Sequence, residues 1–236
     1  MTTLFPVVLC IDVEPDARVP DGRRPAALDG FDALLKGIGP LRELVAAESG
    51  QPARFTWCLR MDPQIAECYG SAAALAHRYE HEFADLVAAG DEIGLHPHCG
   101  RWVDGAWVAD HADSGWVQHC AGLALRSYDE TFGHPCAAYR QGDRFMSTAL
   151  ANQLDVAGIA VDLTVEPGFP AMRGLAPGET TTGWLPDTRG VPGHAYRPSP
   201  GDFRAPDPDR DDGLLMVPLT RGGSPSTAGE AGGTLS

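Results

Sequence analysis

The sequence has little positive charge. Only 18 of its 236 residues are lysine or arginine, against 32 aspartates and glutamates, and Lys36 is the single lysine. A formal net charge of −14 repels phosphate backbones and anionic lipid headgroups. We therefore expect neither nucleic acid nor a membrane surface as a partner, and the sequence does not indicate an oligomeric state.

Long hydrophobic runs and closely paired cysteines are also missing. No apolar run reaches the roughly 20 residues that a helix needs to span a bilayer. The first residues, up to Ile11, lack the basic segment and the cleavage site of a signal peptide, which predicts a cytoplasmic protein. The six cysteines include no CxxC pair, and we interpret them as buried free thiols.

What the sequence does contain is an alternation of short apolar runs with longer amphipathic runs. Strands are predicted over residues 4–13, 54–59, 91–96, 137–141 and 159–164, with a late strand at 213–219. Helices are predicted over residues 40–48, 71–90, 116–132 and 148–157, and a short helix begins after Asp62-Pro63. This alternation predicts an α/β protein with a parallel sheet or barrel.

The regular alternation stops after residue 166, where glycine and proline become frequent. The length of 236 residues fits one large domain. We predict a domain over residues 1–220 and a disordered tail over residues 221–236, because the tail consists of small and polar residues.

Two acids, Asp12 and Glu14, lie at the end of the first predicted strand. Functional side chains of parallel α/β proteins gather at this end of the strands. Strand alternation places the two acids on one face, roughly 6–7 Å apart. Carboxylates this close repel each other unless a cation or a shared proton lies between them. The alternative interpretation is a solvated junction between strand and loop.

Two histidines, His96 and His98, flank a proline at the end of the third predicted strand. In an extended backbone, residues at i and i+2 share a face, and two such imidazoles can chelate one metal ion. Pro97 restricts the preceding residue to an extended conformation and so stiffens His96. The alternative is a pair of exposed loop histidines.

The two strand ends together offer two nitrogen ligands and one oxygen ligand. This set leaves positions open for water and substrate, which is typical of a catalytic metal site. A spare carboxylate beside it could act as a general base.

Other strand ends supply further polar candidates. Arg140 could orient the base or stabilise an oxyanion, or it could form a structural ion pair. Asp162 is a candidate catalytic carboxylate, which could either support a metal ligand or contact the substrate. The candidate substrate-binding residues are Arg60, Asp62 and Tyr139.

The remaining histidines carry weaker signals. His77 and His81 stand at i and i+4 of a predicted helix, a spacing that can chelate zinc, but we interpret them as part of an exposed helix face. His194 lies in the long loop region and could approach the site as an acid.

The series of motifs resembles the NodB-homology polysaccharide deacetylases, in a divergent variant. The motifs, in order, are IDVE, FTWCLR, GDEIGLHPH, YRQGD, DLTVEPG and YRPSP followed by LLMVPL. They cover roughly residues 4 to 220. The resemblance implies a distorted, incomplete (β/α) barrel of about seven strands. It also implies a divalent metal, usually zinc, held by one acid and two histidines, and hydrolysis of acetyl groups on N-acetylated sugars.

The resemblance also implies roles for individual residues. Asp12 matches the general base of the family, and Arg140 matches the arginine that braces it. Glu14 takes the place of the acidic metal ligand, as in members that carry acid-x-acid. His96 matches the first ligand histidine. The second usually lies four residues further on, where this sequence has glycine, so His98 must replace it.

One motif of the family is absent. A late Leu-x-His normally supplies the acid that protonates the leaving amine, but no histidine follows Leu219 here. We expect the chain to be incomplete or altered at its C-terminus.

The sequence therefore predicts a metal-dependent hydrolase that removes an acetyl group from an N-acetylated sugar or a related small amide. The expected cofactor is zinc, with cobalt, manganese or nickel as alternatives. Two other functions stay open. One is a carbohydrate-binding relative of the same fold that has lost activity. The other is a glycoside hydrolase that uses Asp12 or Glu14 together with Asp162 as its two carboxylates.

Overall fold

A computed structural model describes residues 8–174 and 180–219, so the tail predicted at 221–236 lies outside the described residues. The described part is a mixed α/β fold with eleven strands. In chain order these are β1 Cys10–Val13, β2 Thr56–Leu59, β3 Glu92–Leu95, β4 Gly100–Val103, β5 Ala106–Asp110, β6 Ala138–Tyr139, β7 Val161–Asp162, β8 Thr181–Thr182, β9 Pro198–Ser199, β10 Asp202–Pro206 and β11 Leu215–Met216.

Six of these strands form the central sheet, in the order β1-β2-β3-β6-β7-β11. All of their pairings are parallel. Each of the six lies within a predicted strand, so the α/β class and the parallel sheet are confirmed. Within the described ranges no pairing joins β11 to β1, and the predicted barrel is therefore not confirmed.

Residues 8–174 and 180–219 also form six α-helices. They are α1 Asp29–Ser49, α2 Pro63–Tyr69, α3 Ala74–Arg78, α4 Glu80–Ala88, α5 Ser114–Phe132 and α6 Thr148–Val156. Three begin at side-chain caps, since the side chains of Asp62, Asp113 and Ser147 accept hydrogen bonds from the first turns of α2, α5 and α6. None of the described helices combines the length and apolarity needed to cross a bilayer.

The start of α1 differs from the prediction, which placed Pro40 in the first turn of a helix over residues 40–48. Pro40 lies inside α1, which begins at Asp29. The start of α1 is capped by a residue outside the helix, because the carboxylate of Asp16 accepts hydrogen bonds from the backbone N–H groups of Asp29 and Gly30 at 2.9 and 3.0 Å. A cap from another segment leaves no local signal in the sequence.

The helix predicted over residues 71–90 is broken at Tyr79, between α3 and α4. Tyr79 has a non-helical backbone, with φ −116° and ψ 30°. Its ring packs edge-on against Phe31 of α1, and its hydroxyl donates to Asp32 Oδ1 at 2.7 Å. Packing against α1 therefore overrides the helical periodicity of this segment.

A hairpin was missed in the sequence directly after the HPH motif. Strands β4 and β5 are antiparallel, and β8 pairs with β5 to complete a second sheet. The two hairpin residues, Asp104 and Gly105, have positive φ angles of 48° and 86°. Asp-Gly is a favoured pair for such a two-residue turn, so the sequence did contain the signal.

The core packs against the face of the central sheet that carries the fully buried Trp57, Leu59, Leu95 and Tyr139. Asp91 is the polar anchor beside it, because its carboxylate accepts from Phe55 N at 2.9 Å and Trp57 Nε1 at 2.8 Å. All six cysteines are free, and all except the half-buried Cys10 are buried, which confirms the interpretation as thiols.

Candidate metal centre

The strand register decides which candidate residues face the site. Cross-strand partners in a parallel sheet share a face, and neighbours along a strand point to opposite faces. Leu95 pairs with Tyr139, which pairs with Asp162, and these three residues face one side. His96 and Arg140 each follow one of these residues and so point to the other side, which is also the side of Asp12.

His96, His98 and Glu14 bring three ligand atoms together on that side. His96 Nε2 is 3.1 Å from His98 Nε2, and His98 Nε2 is 3.4 Å from Glu14 Oε2. All three ligand atoms lie within 4.8 Å of one another. Both histidines are buried, whereas the Glu14 side chain is 32% exposed. We call these three residues the ligand trio. Protein shields its two histidines, and solvent reaches the trio at Glu14.

The hydrogen bond at the other ring nitrogen fixes the tautomer of His96. Its Nδ1 lies 2.8 Å from the carbonyl oxygen of Arg140, which can only accept, so Nδ1 donates. In the neutral ring Nε2 then carries a lone pair, and this lone pair points toward His98 Nε2 and Glu14. Burial and the charge of Arg60 lower the pKa of His98 to about 4, so His98 is neutral at neutral pH.

These three groups fit a divalent cation. Burial alone would raise the pKa of Glu14, but the neighbouring imidazoles of His98 and His96 and the guanidinium of Arg60 outweigh burial and lower it, so Glu14 is ionised. The Nε2 lone pairs of the two imidazoles lie 3.1 Å apart, and the Glu14 carboxylate oxygen lies 3.4 Å from His98 Nε2, so these groups repel one another unless a cation lies between them. Ligand atoms about 2.0–2.1 Å from a tetrahedral ion lie about 3.3 Å apart, which matches these two distances.

Asp12 and Arg140 stand beside this trio. Arg140 Nε donates to the carboxylate of Asp12 at 2.9 Å from Oδ1 and 3.1 Å from Oδ2. A second donor of the same guanidinium, Nη1, bonds the Leu163 carbonyl at 2.9 Å, which holds the group in place. Asp12 Oδ1 is also 3.7 Å from His96 Nδ1, and the Asp12 side chain is 27% exposed. Asp12 is thus a braced carboxylate that solvent can reach.

Arg60 and Asp62, the predicted substrate contacts after β2, lie against the candidate ligands His98 and Glu14. Each is at most 1% exposed, and Arg60 Nε donates to Asp62 Oδ2 at 2.6 Å. Asp62 Oδ2 also accepts from the backbone N–H of His98 at 3.0 Å, and Arg60 Nη1 is 3.6 Å from Glu14 Oε2. Their burial and contacts suit a role in holding the backbone of His98 and the charge of Glu14.

Tyr139 and Asp162 are not brought to the ligand trio. Tyr139 is fully buried on the opposite face of the sheet, and its hydroxyl donates to Gln141. Asp162 is 1% exposed on the same face and accepts from the backbone N–H and the hydroxyl of Thr164 at 3.0 and 2.7 Å. Asp162 therefore does not face Asp12 or Glu14 as the second carboxylate of a glycosidase would.

Asp162 is a source of pH-dependent stability. Burial raises the pKa of Asp162 to about 7 despite the two bonds from Thr164, whereas an unfolded aspartate titrates at about 3.9. Below about pH 4 Asp162 is protonated in both the folded and the unfolded state, so it does not change the free energy of unfolding. Between about pH 4 and pH 7 only the unfolded state loses its proton, so the free energy of unfolding falls by up to about 4 kcal/mol.

We expect Asp162→Asn to remove this pH dependence, because an amide keeps the shape and does not titrate. The free energy of unfolding, measured in urea at pH 4.5 and pH 7.5 for both proteins, checks this expectation. The variant should gain stability relative to the unsubstituted protein at the higher pH, and an unchanged difference between the two proteins at both pH values contradicts the assignment.

Sequence reasoning missed two residues behind His98, namely Asp143 and His111. Asp143 Oδ1 lies 3.4 Å from His98 Nδ1, and its Oδ2 lies 3.1 Å from His111 Nε2. Asp143 belongs to the YRQGD motif but received no role, and His111 has no patterned neighbours in the sequence. His194, a candidate acid, is exposed in the loop before β9.

Solved structures that are similar to this chain include the following two. One is a Mycobacterium smegmatis protein provisionally assigned as a polysaccharide deacetylase, 16% identical, with a TM-score of 0.43, over 94% of this chain and 64% of that chain. The other is IcaB from Ammonifex degensii, 15% identical, with a TM-score of 0.33, over 68% of this chain and 83% of that chain. The chain thus spans about two thirds of the Mycobacterium smegmatis protein. No family model and no curated relative matches the sequence. Similarity at this level assigns neither family nor activity, which leaves the site itself to indicate the function.

Proposed function

We propose that the protein is a metal-dependent hydrolase that removes an acetyl group from an N-acetylated sugar or a related small amide. One observation carries the proposal: Glu14, His96 and His98 converge within 4.8 Å, with the braced carboxylate of Asp12 beside them. The order of motifs along the chain, which resembles the NodB-homology deacetylases, supports an N-acetylated sugar as the substrate class.

The donor set supports zinc as the ion, with cobalt, manganese or nickel as alternatives. Two imidazoles and one carboxylate form a common ligand set of catalytic zinc, in which a further position stays open. When bound, a divalent ion stabilises negative charge on the acyl oxygen and makes a nearby water more acidic.

Asp12 acts as the general base in this proposal. Its carboxylate takes a proton from the attacking water while the water oxygen forms a bond to the acyl carbon. Arg140 holds the Asp12 carboxylate in place through the contact at 2.9 Å. His96 is locked by the Arg140 carbonyl at 2.8 Å and so keeps its Nε2 lone pair available.

Asp12 also supplies the proton for the leaving amine. Once protonated, the carboxyl group can return its proton to the amine nitrogen as the C–N bond breaks, which releases acetate and the free amine.

The test is an acetate-release screen over N-acetylated sugars, using protein stripped with a chelator and then reloaded with each metal ion. We expect acetate release with zinc and its loss on chelation. Sugar binding without acetate release in the presence of any of the metals would support the binding-only alternative. Glycosidic cleavage that survives the chelator would support the glycoside hydrolase.

A further inference from the structure

A buried carboxylate faces the side of His98 that points away from the ligand trio. His98 directs Nε2 toward His96 and Glu14, and its Nδ1 lies 3.4 Å from Asp143 Oδ1. The Asp143 side chain is only 3% exposed, so its carboxylate faces His98 with little contact with solvent. His98 is thus placed between the candidate metal position and one carboxylate.

Two further groups hold Asp143. His111 Nε2 lies 3.1 Å from Asp143 Oδ2, and the guanidinium of Arg18 contacts Oδ1. The His111 ring is itself fixed, because it stacks on Phe145 with ring centroids 4.8 Å apart and planes 13° apart. Both oxygens of the carboxylate therefore lie within ion-pair distance of side-chain nitrogen atoms, which restricts the orientation of the group.

The backbone of this loop is held in an unusual conformation. Asp143 and Arg144 have φ angles of 60° and 56°, a left-handed region that residues other than glycine rarely adopt. Gly142 packs against the ring of His98 so closely that a Cβ there would lie 2.5 Å from His98 Cγ. Strained backbone persists where the surroundings hold it in place, and such sites are often functional.

We propose that Asp143 is a positioning residue that holds His98 in the tautomer with Nδ1 protonated and Nε2 free for the metal. The inference rests on the proposed metal site. A histidine that binds metal through one ring nitrogen commonly donates from the other to a carboxylate, and this partner sets orientation and affinity. Asp143 is the carboxylate in that position for His98.

The test is Asp143→Asn, which keeps the size of the side chain. An amide has one acceptor oxygen, so it cannot accept from both His98 and His111. We expect the dissociation constant for zinc, measured by competition with a chelator, to rise about 10- to 100-fold. In the metal-free variant, the ¹⁵N NMR signals of His98 should shift toward the tautomer with Nε2 protonated.

Asp91→Asn is the matched control. Asp91 and Asp143 are both buried, and each contacts an arginine, but Asp91 bonds Phe55 and Trp57 instead of a histidine. Asp91→Asn should lower the free energy of unfolding and leave both the zinc affinity and the His98 tautomer unchanged.

Each result decides a separate point. Asp143→Asn binding zinc as tightly as the unsubstituted protein overturns the inference. If that variant does not fold, an unsubstituted metal-free protein with His98 protonated at Nε2 overturns it equally. Tight zinc binding that depends on Asp143, without acetate release, supports the inference and contradicts only the proposed function. An unsubstituted protein that binds no zinc overturns both.

Discussion

His96→Ala combined with His98→Ala is expected to abolish zinc binding and to lower acetate release by about a thousandfold or more. The two rings supply the nitrogen atoms that lie 3.1 Å apart, and their removal leaves Glu14 as the last member of the trio. A bound metal ion is worth several kcal/mol of transition-state stabilisation, and each 1.4 kcal/mol or so is a tenfold change in rate. Metal content by elemental analysis and the rate of acetate release check the two parts.

A second pair of histidines provides the control for this variant. His77 and His81 are both exposed and lie on either side of the break at Tyr79, in α3 and α4. Their spacing in sequence would allow chelation on a continuous helix, which the structure does not form. His77→Ala combined with His81→Ala should keep the zinc. Unchanged zinc content in the His96 and His98 variant would exclude these ligands, and loss of zinc in the control would indicate the other pair.

The part of the site that could be predicted from the sequence is the part encoded within single strands. Asp12 and Glu14, like His96 and His98, alternate on one strand or its extension, so local geometry places each pair on one face. The structure brings Glu14 together with both histidines, as the shared strand ends suggest. The contact of Arg140 with Asp12 depends on parallel neighbours of the same sheet, and the βα alternation implies such a sheet.

The part that could not be predicted depends on contacts between distant segments. Asp143 lies 3.4 Å from His98 in a loop whose left-handed backbone only the folded protein reveals. His111 joins the same group because the β4–β5 hairpin carries the chain to it. Likewise, Tyr139 and Asp162 end strands as the site residues do. Only the register shows that they face the opposite side.

The roles of the two acids on β1 and its extension differ by their surroundings. Glu14 lies 3.4 Å from His98 Nε2 and is held by Arg60 at 3.6 Å, so its oxygen points into the ligand trio. Asp12 contacts Arg140 at 2.9 Å and lies 3.7 Å from the ring nitrogen of His96 that faces away from the trio. This difference supports Glu14 as the metal ligand and Asp12 as the base. Substitutions of the two acids can test these roles separately.

Asp12→Asn is therefore expected to lower kcat by about 10²- to 10⁴-fold, the contribution typical of a general base, while zinc stays bound with unchanged affinity. The amide keeps the size of the side chain but cannot take a proton from water. A kinetic comparison with zinc-loaded protein, together with a chelator competition, measures the two quantities separately. Glu14→Gln should show the opposite order of effects, with weakened zinc affinity as its first consequence.

Asp16→Asn is the control from the same loop. Its carboxylate accepts from the backbone N–H groups that begin α1 and has no contact with the ligand trio among the described interactions. The variant should keep both activity and zinc affinity, since it loses at most one of the two hydrogen bonds at the start of α1 and none at the ligand trio. If Asp12→Asn instead loses zinc while Glu14→Gln retains it, the two acids exchange roles. The proton must then be taken by Glu14, which the buried contacts of that residue with His98 and Arg60 make a poorer base.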